Sequence, residues 1–368
     1  MSRREIDCTD FVELLYRSLL GRDPDPDGYA GHLARLRSGA VGCEQLMSEF
    51  INCAEFKARD RREHAIDCDD PRVYAGYTDS DLGIFDQFRN AAARPTEGFV
   101  TDFIGSRARV SLLWRGCEGL DGKIHPIPIP SDYHAEAIEW IGTLRAVLAA
   151  KNRFAMMELG AGHGPWLAAS AKAAELRGIS RIVLCGVEPD PGRFALMSQN
   201  VKDNALEHYS ITLIEAAVGT SDGTVRWPRI ADPANDAGAR PLTGSCGGDR
   251  LGDQGDPVRC SETIEIAIVS FGRLLARQPV WDLIHIDIQG SEVEICNAFA
   301  DELLASARYL VVGTHSRKLD GDLMELMFRT GWHLDHEKPT RMAFSTDAAG
   351  LEQMTVQDGT QVWRNPRL

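Results

Sequence analysis

From Ser131 to Trp363 the chain alternates short apolar runs rich in β-branched residues with longer stretches of helical periodicity, and this restricts the fold more than any other feature. The runs Phe154–Leu159, Arg181–Val187, Ser210–Val218, Trp281–Ile288 and Tyr309–Gly313 read as strands, and Trp166–Leu176 as one of the intervening helices. Strand and helix taking turns predict an α/β fold, a Rossmann-like doubly wound sheet with mostly parallel strands, binding ligands at the strands' carboxyl ends. Before the first strand, Ser131–Ala150 reads as a helix capped by Ser131 or Asp132, with Ala137, Ile138, Ile141, Leu144, Val147 and Leu148 on one face.

The first strand ends in Met157-Glu158-Leu159-Gly160-Ala161-Gly162-His163-Gly164 and a helix opens at Pro165-Trp166. Glycines there let the backbone turn sharply and let a nucleoside approach with no Cβ in its way. The second strand ends in Gly186-Val187-Glu188-Pro189, which places Glu188 where one carboxylate can take both ribose hydroxyls. Dinucleotide sites use Gly-x-Gly-x-x-Gly to bring pyrophosphate to a helix N-terminus. Here the spacing is Gly-x-Gly-x-Gly behind Glu158, whose charge repels pyrophosphate and suits a cationic sulfonium or amino group. The residues favour S-adenosyl-L-methionine over a nicotinamide cofactor; a tight turn that binds nothing is the plain alternative.

With 368 residues, 43% hydrophobic and 26% charged, the chain suits one large domain and a satellite. The expected segments are a helical domain at 1–66, a linker with acceptor-side elements at 67–130 and the Rossmann-like domain at 131–368. In the first, Phe11, Leu14, Leu15, Leu19 and Leu20 keep a narrow apolar face, continued by Leu33, Leu36, Leu46, Phe50 and Phe56 after a break at Gly21–Gly28. The carboxylates of that break suggest either a turn capping the next helix or, against the spacing, a calcium loop. The charged run from Arg61 to Pro71 reads as the linker, and the Gly/Asp/Pro-rich Pro228–Pro257 as a lid over the acceptor or a solvated insertion.

The net charge of -14 argues against nucleic acid as the main partner, since phosphate binding needs a basic footprint. No apolar run is long enough to span a membrane, and Met1-Ser2-Arg3-Arg4-Glu5 lacks the apolar stretch of a secretory signal, so the expected location is cytoplasmic. Nine scattered cysteines form no zinc-type pair.

Two resemblances add to this. Leu15–Asp25, Gly28, Ser48-Glu49-Phe50 and Glu55-Phe56 resemble a recurrent bacterial helical domain of unknown function, similar to phycobilisome linker modules, which implies attachment or binding of a protein partner. Glu158–Trp166, Gly186–Pro189, Ala216–Gly219 with Asp222-Gly223, and Asp282–Glu292 resemble the FkbM family of methyltransferases. That resemblance implies O-methylation of a sugar, glycan or natural-product hydroxyl. Where the family more usually has Lys and Glu around the fourth strand's aspartate, this chain has His285 and Gln289.

The roles expected are these. Glu158 and the backbone of Gly160, Ala161, Gly162 and Gly164 hold the methionine end, Glu188 the ribose, and Pro189 and Glu215-Ala216 the two sides of the adenine. Asp287 faces the methyl, orienting the cofactor or acceptor, or merely caps the next helix. His315 should lie at the end of strand five, near Asp287 and His285. It reads as the general base, as part of a metal set with His285 and Asp287, or as a strand cap outside the chemistry. The rival functions are a non-catalytic scaffold of the same fold and a nicotinamide-dependent oxidoreductase.

Overall fold

The computed structural model describes residues 7–20, 22–53, 55–56, 76–235, 250–251, 257–258, 263–346, 348 and 350–368. The expected linker and the middle of the expected lid lie outside the described residues. The chain divides into two compact units, Met1–Val73 and Tyr74–Leu368.

In the first unit, α1 (Cys8–Leu15) runs into a wide turn at Tyr16–Leu20 and is followed by α2 (Pro26–Arg37) and α3 (Cys43–Asn52). Val12, Leu15, Tyr16, Val41, Leu46 and Phe50 close its core, while Leu14 faces solvent. The break before α2 is a helix start. Asp25 accepts from the Gly28 N–H at 2.8 Å and Pro26 takes the first helical position, where its missing N–H costs nothing.

The second unit opens with α4 (Asp79–Asp86) and a small sheet of β1 (Phe99–Thr101), β2 (Arg107–Arg109) and β3 (Lys123–Ile124). Then come α5 (Ala137–Ala149), β4 (Arg153–Leu159), α6 (Pro165–Leu176), β5 (Arg181–Glu188), α7 (Pro191–Asp203), β6 (Ser210–Glu215), β7 (Ala217–Gly219) and β8 (Gly223–Pro228). The short strands β9 (Arg250–Leu251) and β10 (Pro257–Val258) precede β11 (Thr263–Ser270), α8 (Phe271–Leu275), β12 (Trp281–Ile286), α9 (Glu292–Ala298), α10 (Ala300–Ser306) and β13 (Ala307–Thr314). The chain closes with α11 (Arg317–Thr330), β14 (His333–Lys338), β15 (Arg341–Met342), β16 (Thr355–Gln357) and β17 (Gly359–Arg364).

The main sheet has the order β14-β17-β13-β12-β4-β5-β6. Its five strands from β13 to β6 are parallel; β17 lies antiparallel between β13 and β14. Alternate residues along each strand face opposite sides. Phe154, Met156, Ile182, Leu184, Leu283 and Val311 pack with α5, α6 and α7, whereas Ala155, Met157, Val187, Ile284, Leu310 and Val312 pack with α8 to α11. Burial on both faces accounts for the near-continuous apolar runs. The fold is thus α/β, a Rossmann-like doubly wound and mostly parallel sheet, with an all-α N-terminal unit. Among the described residues no helix is long and apolar enough to cross a membrane.

Two expected elements differ. The helix expected from Ser131 starts at Ala137, where Glu136 and Glu139 form a reciprocal capping box; Asp132 instead accepts from the N–H groups of His134 and Ala135 and from Trp140 Nε1, each at 2.9 Å. The run Ser210–Val218 breaks at Ala216, whose N–H donates to Glu188 O at 3.2 Å. Beyond it β7 leaves the main sheet and pairs with β11.

Candidate functional site

The order of the strands reverses between β4 and β12, and in such sheets ligands bind in the crevice outside the carboxyl ends at that point. Gly160, Gly162 and Gly164 all have positive φ, at 72°, 56° and 71°. They serve different ends. A Cβ at Gly160 would lie 1.8 Å from the Asp287 carbonyl oxygen, so this glycine lets the ends of β4 and β12 meet, whereas a Cβ at Gly162 would find its nearest atom, Arg193 Nη1, at 3.9 Å. The turn is tied to β5 by the N–H groups of Gly160 and Ala161, which both donate to Val187 O at 3.0 Å.

Glu158 lies beneath the turn, 2% exposed, and accepts from the N–H groups of Trp166 at 3.3 Å and Leu167 at 2.9 Å. Both oxygens thus serve the N-terminus of α6, which carries partial positive charge. The expected open countercharge for a sulfonium is therefore not what Glu158 presents. It fixes the helix under the turn, and burial pushes its carboxyl up to about 8.

Glu188, 4% exposed, accepts from Gly162 N at 2.7 Å with one oxygen and from Asp190 N at 2.9 Å with the other. Each oxygen keeps a lone pair. Burial raises this carboxyl to about 7. Pro189 is half-buried, Ala216 is buried against Glu188 through its backbone bond, and Glu215 is exposed. The structure brings Gly160, Ala161, Gly162, Gly164, Glu188, Pro189, Glu215 and Ala216 to the ends of three adjacent strands.

At the end of β12, Asp287 N–H donates to Leu159 O at 2.9 Å, and its side chain, 41% exposed, faces His315. His315 Nε2 lies 3.0 Å from Asp287 Oδ1 and 3.2 Å from Glu292 Oε1, and Nδ1 lies 3.3 Å from Asp358 Oδ1. Glu292, fully buried, accepts from the N–H groups of Ile288 and Gly290 at 3.0 Å, closing a turn in which Gln289 has φ 60°. Gln289 Nε2 in turn donates to Asp287 Oδ1 at 3.0 Å.

Burial disfavours a charged His315, but the carboxylates of Asp287, Asp358 and Glu292 outweigh it and raise its pKa far above the usual value. Burial likewise opposes the charge on Asp287, yet His315 and His285 hold its carboxyl below the usual range. His315 thus lies at the end of strand five, as expected, with three carboxylates around its ring.

His285 does not join this group. It faces the α5 and α6 side like Leu283, with Nε2 3.4 Å from Glu139 Oε2 and its ring stacked on Trp166 at 5.3 Å. The alternation that put it beside Asp287 stops at Ile286, where β12 ends. Glu292 takes the place expected for it. Its signal was present, as an acid five residues after Asp287, but Asp358 carries none.

On the other side of the glycine turn, His134 lies 4.9 Å from Tyr133, 5.2 Å from Trp166 and 6.4 Å from His163, ring centre to ring centre. Burial first, with His134 and Arg193, pushes the His163 imidazole down to about 3, so it is neutral. These rings had no expected role.

A doubly wound, mostly parallel sheet with a glycine turn after its first strand places the second unit in the Rossmann-like class of folds. Residues 158–334 match the model of the methyltransferase FkbM domain, and residues 2–59 match that of a domain of unknown function, DUF4214. It is similar to a protein of Jannaschia sp. (strain CCS1) named as a proposed methyltransferase, at 29% identity over 286 residues, covering 77% of this chain and 98% of that one. Among solved structures it is similar to the precorrin-6y C5,15-methyltransferase of Geobacter metallireducens GS-15, at 11% identity and TM-score 0.34, covering 63% of this chain and 88% of that one. It is also similar to the C-terminal domain of the Rhodobacter capsulatus enzyme of the same name, at 13% identity and TM-score 0.34, covering 62% and 89%.

Proposed function

We propose that the second unit is an S-adenosyl-L-methionine-dependent O-methyltransferase acting on a hydroxyl of a sugar, glycan or natural product. The observation that carries this reading is the meeting of the open Gly162 turn, the Glu188 carboxylate and Asp287 at one crevice. A space a Cβ would fill beside two carboxylate lone pairs fits a nucleoside with its ribose hydroxyls. Bound there, the cofactor supplies an electrophilic methyl group on a sulfonium.

The chain's own part is to position. Glu188 accepts from the ribose hydroxyls, Pro189 and Ala216 flank the adenine, and the backbone at Gly160–Gly164 follows the methionine end. Asp287, half-buried with its side chain 41% exposed, orients the acceptor oxygen for in-line attack, the arrangement that provides much of the acceleration in such a displacement.

Calorimetric titration tests this. S-adenosylmethionine and S-adenosylhomocysteine are expected to bind, NADH is not, and Glu188→Ala is expected to weaken binding by about tenfold to a hundredfold through loss of two charge-assisted bonds. Unchanged affinity in a folded Glu188→Ala protein would remove the cofactor from this crevice.

A further inference from the structure

The side chain of His315 is 4% exposed, and its Nε2 has no hydrogen-bond partner although two carboxylate oxygens lie at 3.0 and 3.2 Å. Neither oxygen therefore lies along the direction in which an Nε2 proton would point. A metal ion has no such restriction, because it receives lone pairs from several directions at once. The ligating atoms of Asp287, Glu292 and His315 all lie within 4.8 Å of one another. A small octahedral cation bonds oxygen at about 2.0–2.1 Å, which sets neighbouring ligand atoms about 3 Å apart, the separation found on both sides of Nε2.

We propose that Asp287, Glu292 and His315 bind one divalent cation of the magnesium–manganese class. Two carboxylates and one imidazole, with no thiolate, form an oxygen-rich set for that class, and the imidazole favours manganese within it. The surroundings support the ligands as metal sites require. Asp358 lies 3.3 Å from Nδ1 of His315, leaving Nε2 for the ion; backbone N–H groups of Ile288 and Gly290 hold Glu292, and Gln289 holds Asp287. The exposed side of Asp287 leaves coordination positions open toward the crevice.

Cation binding stands apart from the reaction; its use in catalysis rests on the methyl-transfer reading. An acceptor hydroxyl on the ion loses its proton to water more readily. Its oxygen then forms the new bond to the methyl carbon as the carbon–sulfur bond breaks, and sulfur keeps that electron pair.

The test uses the full chain, stripped with EDTA and desalted, then titrated with Mn2+ while the electron paramagnetic resonance of the free ion is followed. One Mn2+ per chain is expected, with affinity lowered about tenfold or more in His315→Gln and in Asp287→Asn, a half-buried position at the end of β12. Circular dichroism verifies that each variant is folded. A wild-type chain that leaves the Mn2+ signal free, or folded variants that bind as well as it does, would overturn the site. Calorimetry with S-adenosylhomocysteine on the same samples keeps the two ideas apart: binding of Mn2+ without it sinks the methyl-transfer reading alone, and the reverse sinks the metal site alone.

Discussion

Two glycines two residues apart in the same turn have opposite reasons to be glycine, and substitution separates them. Alanine at Gly162 has room and carries only the left-handed backbone penalty of about 1–2 kcal/mol, so the protein is expected to fold and to lose cofactor affinity. At Gly160 the same change drives a Cβ into the Asp287 carbonyl and prises β12 from β4, for an expected loss of about 4 kcal/mol or more. Denaturant melts with calorimetry distinguish them; equal stability in the two variants would contradict the contact. Residue by residue, the meeting of the Gly160–Gly164 turn, Glu188, Glu215 and Ala216 was legible because these positions follow strand ends in chain order. The His315 surroundings were legible only in part. Asp287 and His315 end apolar runs, but Asp358 reaches them because β17 inserts beside β13, a pairing that leaves no trace in local periodicity.

Beside their apolar packing, helix α6 and β4 are linked by the buried Glu158 carboxylate, which accepts from the N–H groups of Trp166 and Leu167. Glu158 moves from an ordinary 4.5 to about 8 in the fold, so folding favours its protonated form. The stability it contributes is complete below the unfolded value and is lost as pH rises through the folded one. Melting temperature is expected to fall between about pH 5 and about pH 9 more steeply in the wild type than in Glu158→Gln. Parallel curves would show that the group does not titrate with folding. Elements were well legible where burial on both faces gave continuous apolar runs, as in β4, β5 and β12. They were misread where a tertiary bond overrides local pattern: Asp132 looks like a helix cap but is held by Trp140, and Ala216 looks like mid-strand but is turned by Glu188.

Each unit closes a core of its own, the first around Tyr16 and Phe50 and the second in the two layers flanking the sheet. Deletion of residues 1–73 is therefore expected to leave a folded protein with unchanged affinity for S-adenosylhomocysteine, checked by calorimetry; an insoluble or ligand-free product would mean that the units depend on one another. The segment 76–130 belongs with the second, since Phe85, Phe88, Phe103 and Ile104 share the layer built by α5 and α6. The sheet also has an order of assembly written into it. Its strand latest in the chain, β17, is an interior one, paired on both sides by β13 and β14. A nascent chain on the ribosome can lay down β4, β5 and β6 as they emerge, yet until residues 359–364 follow, β13 keeps an open edge and His315 lacks Asp358. The carboxylate set around His315 is thus completed later in synthesis than the turn that joins Gly160 to Val187.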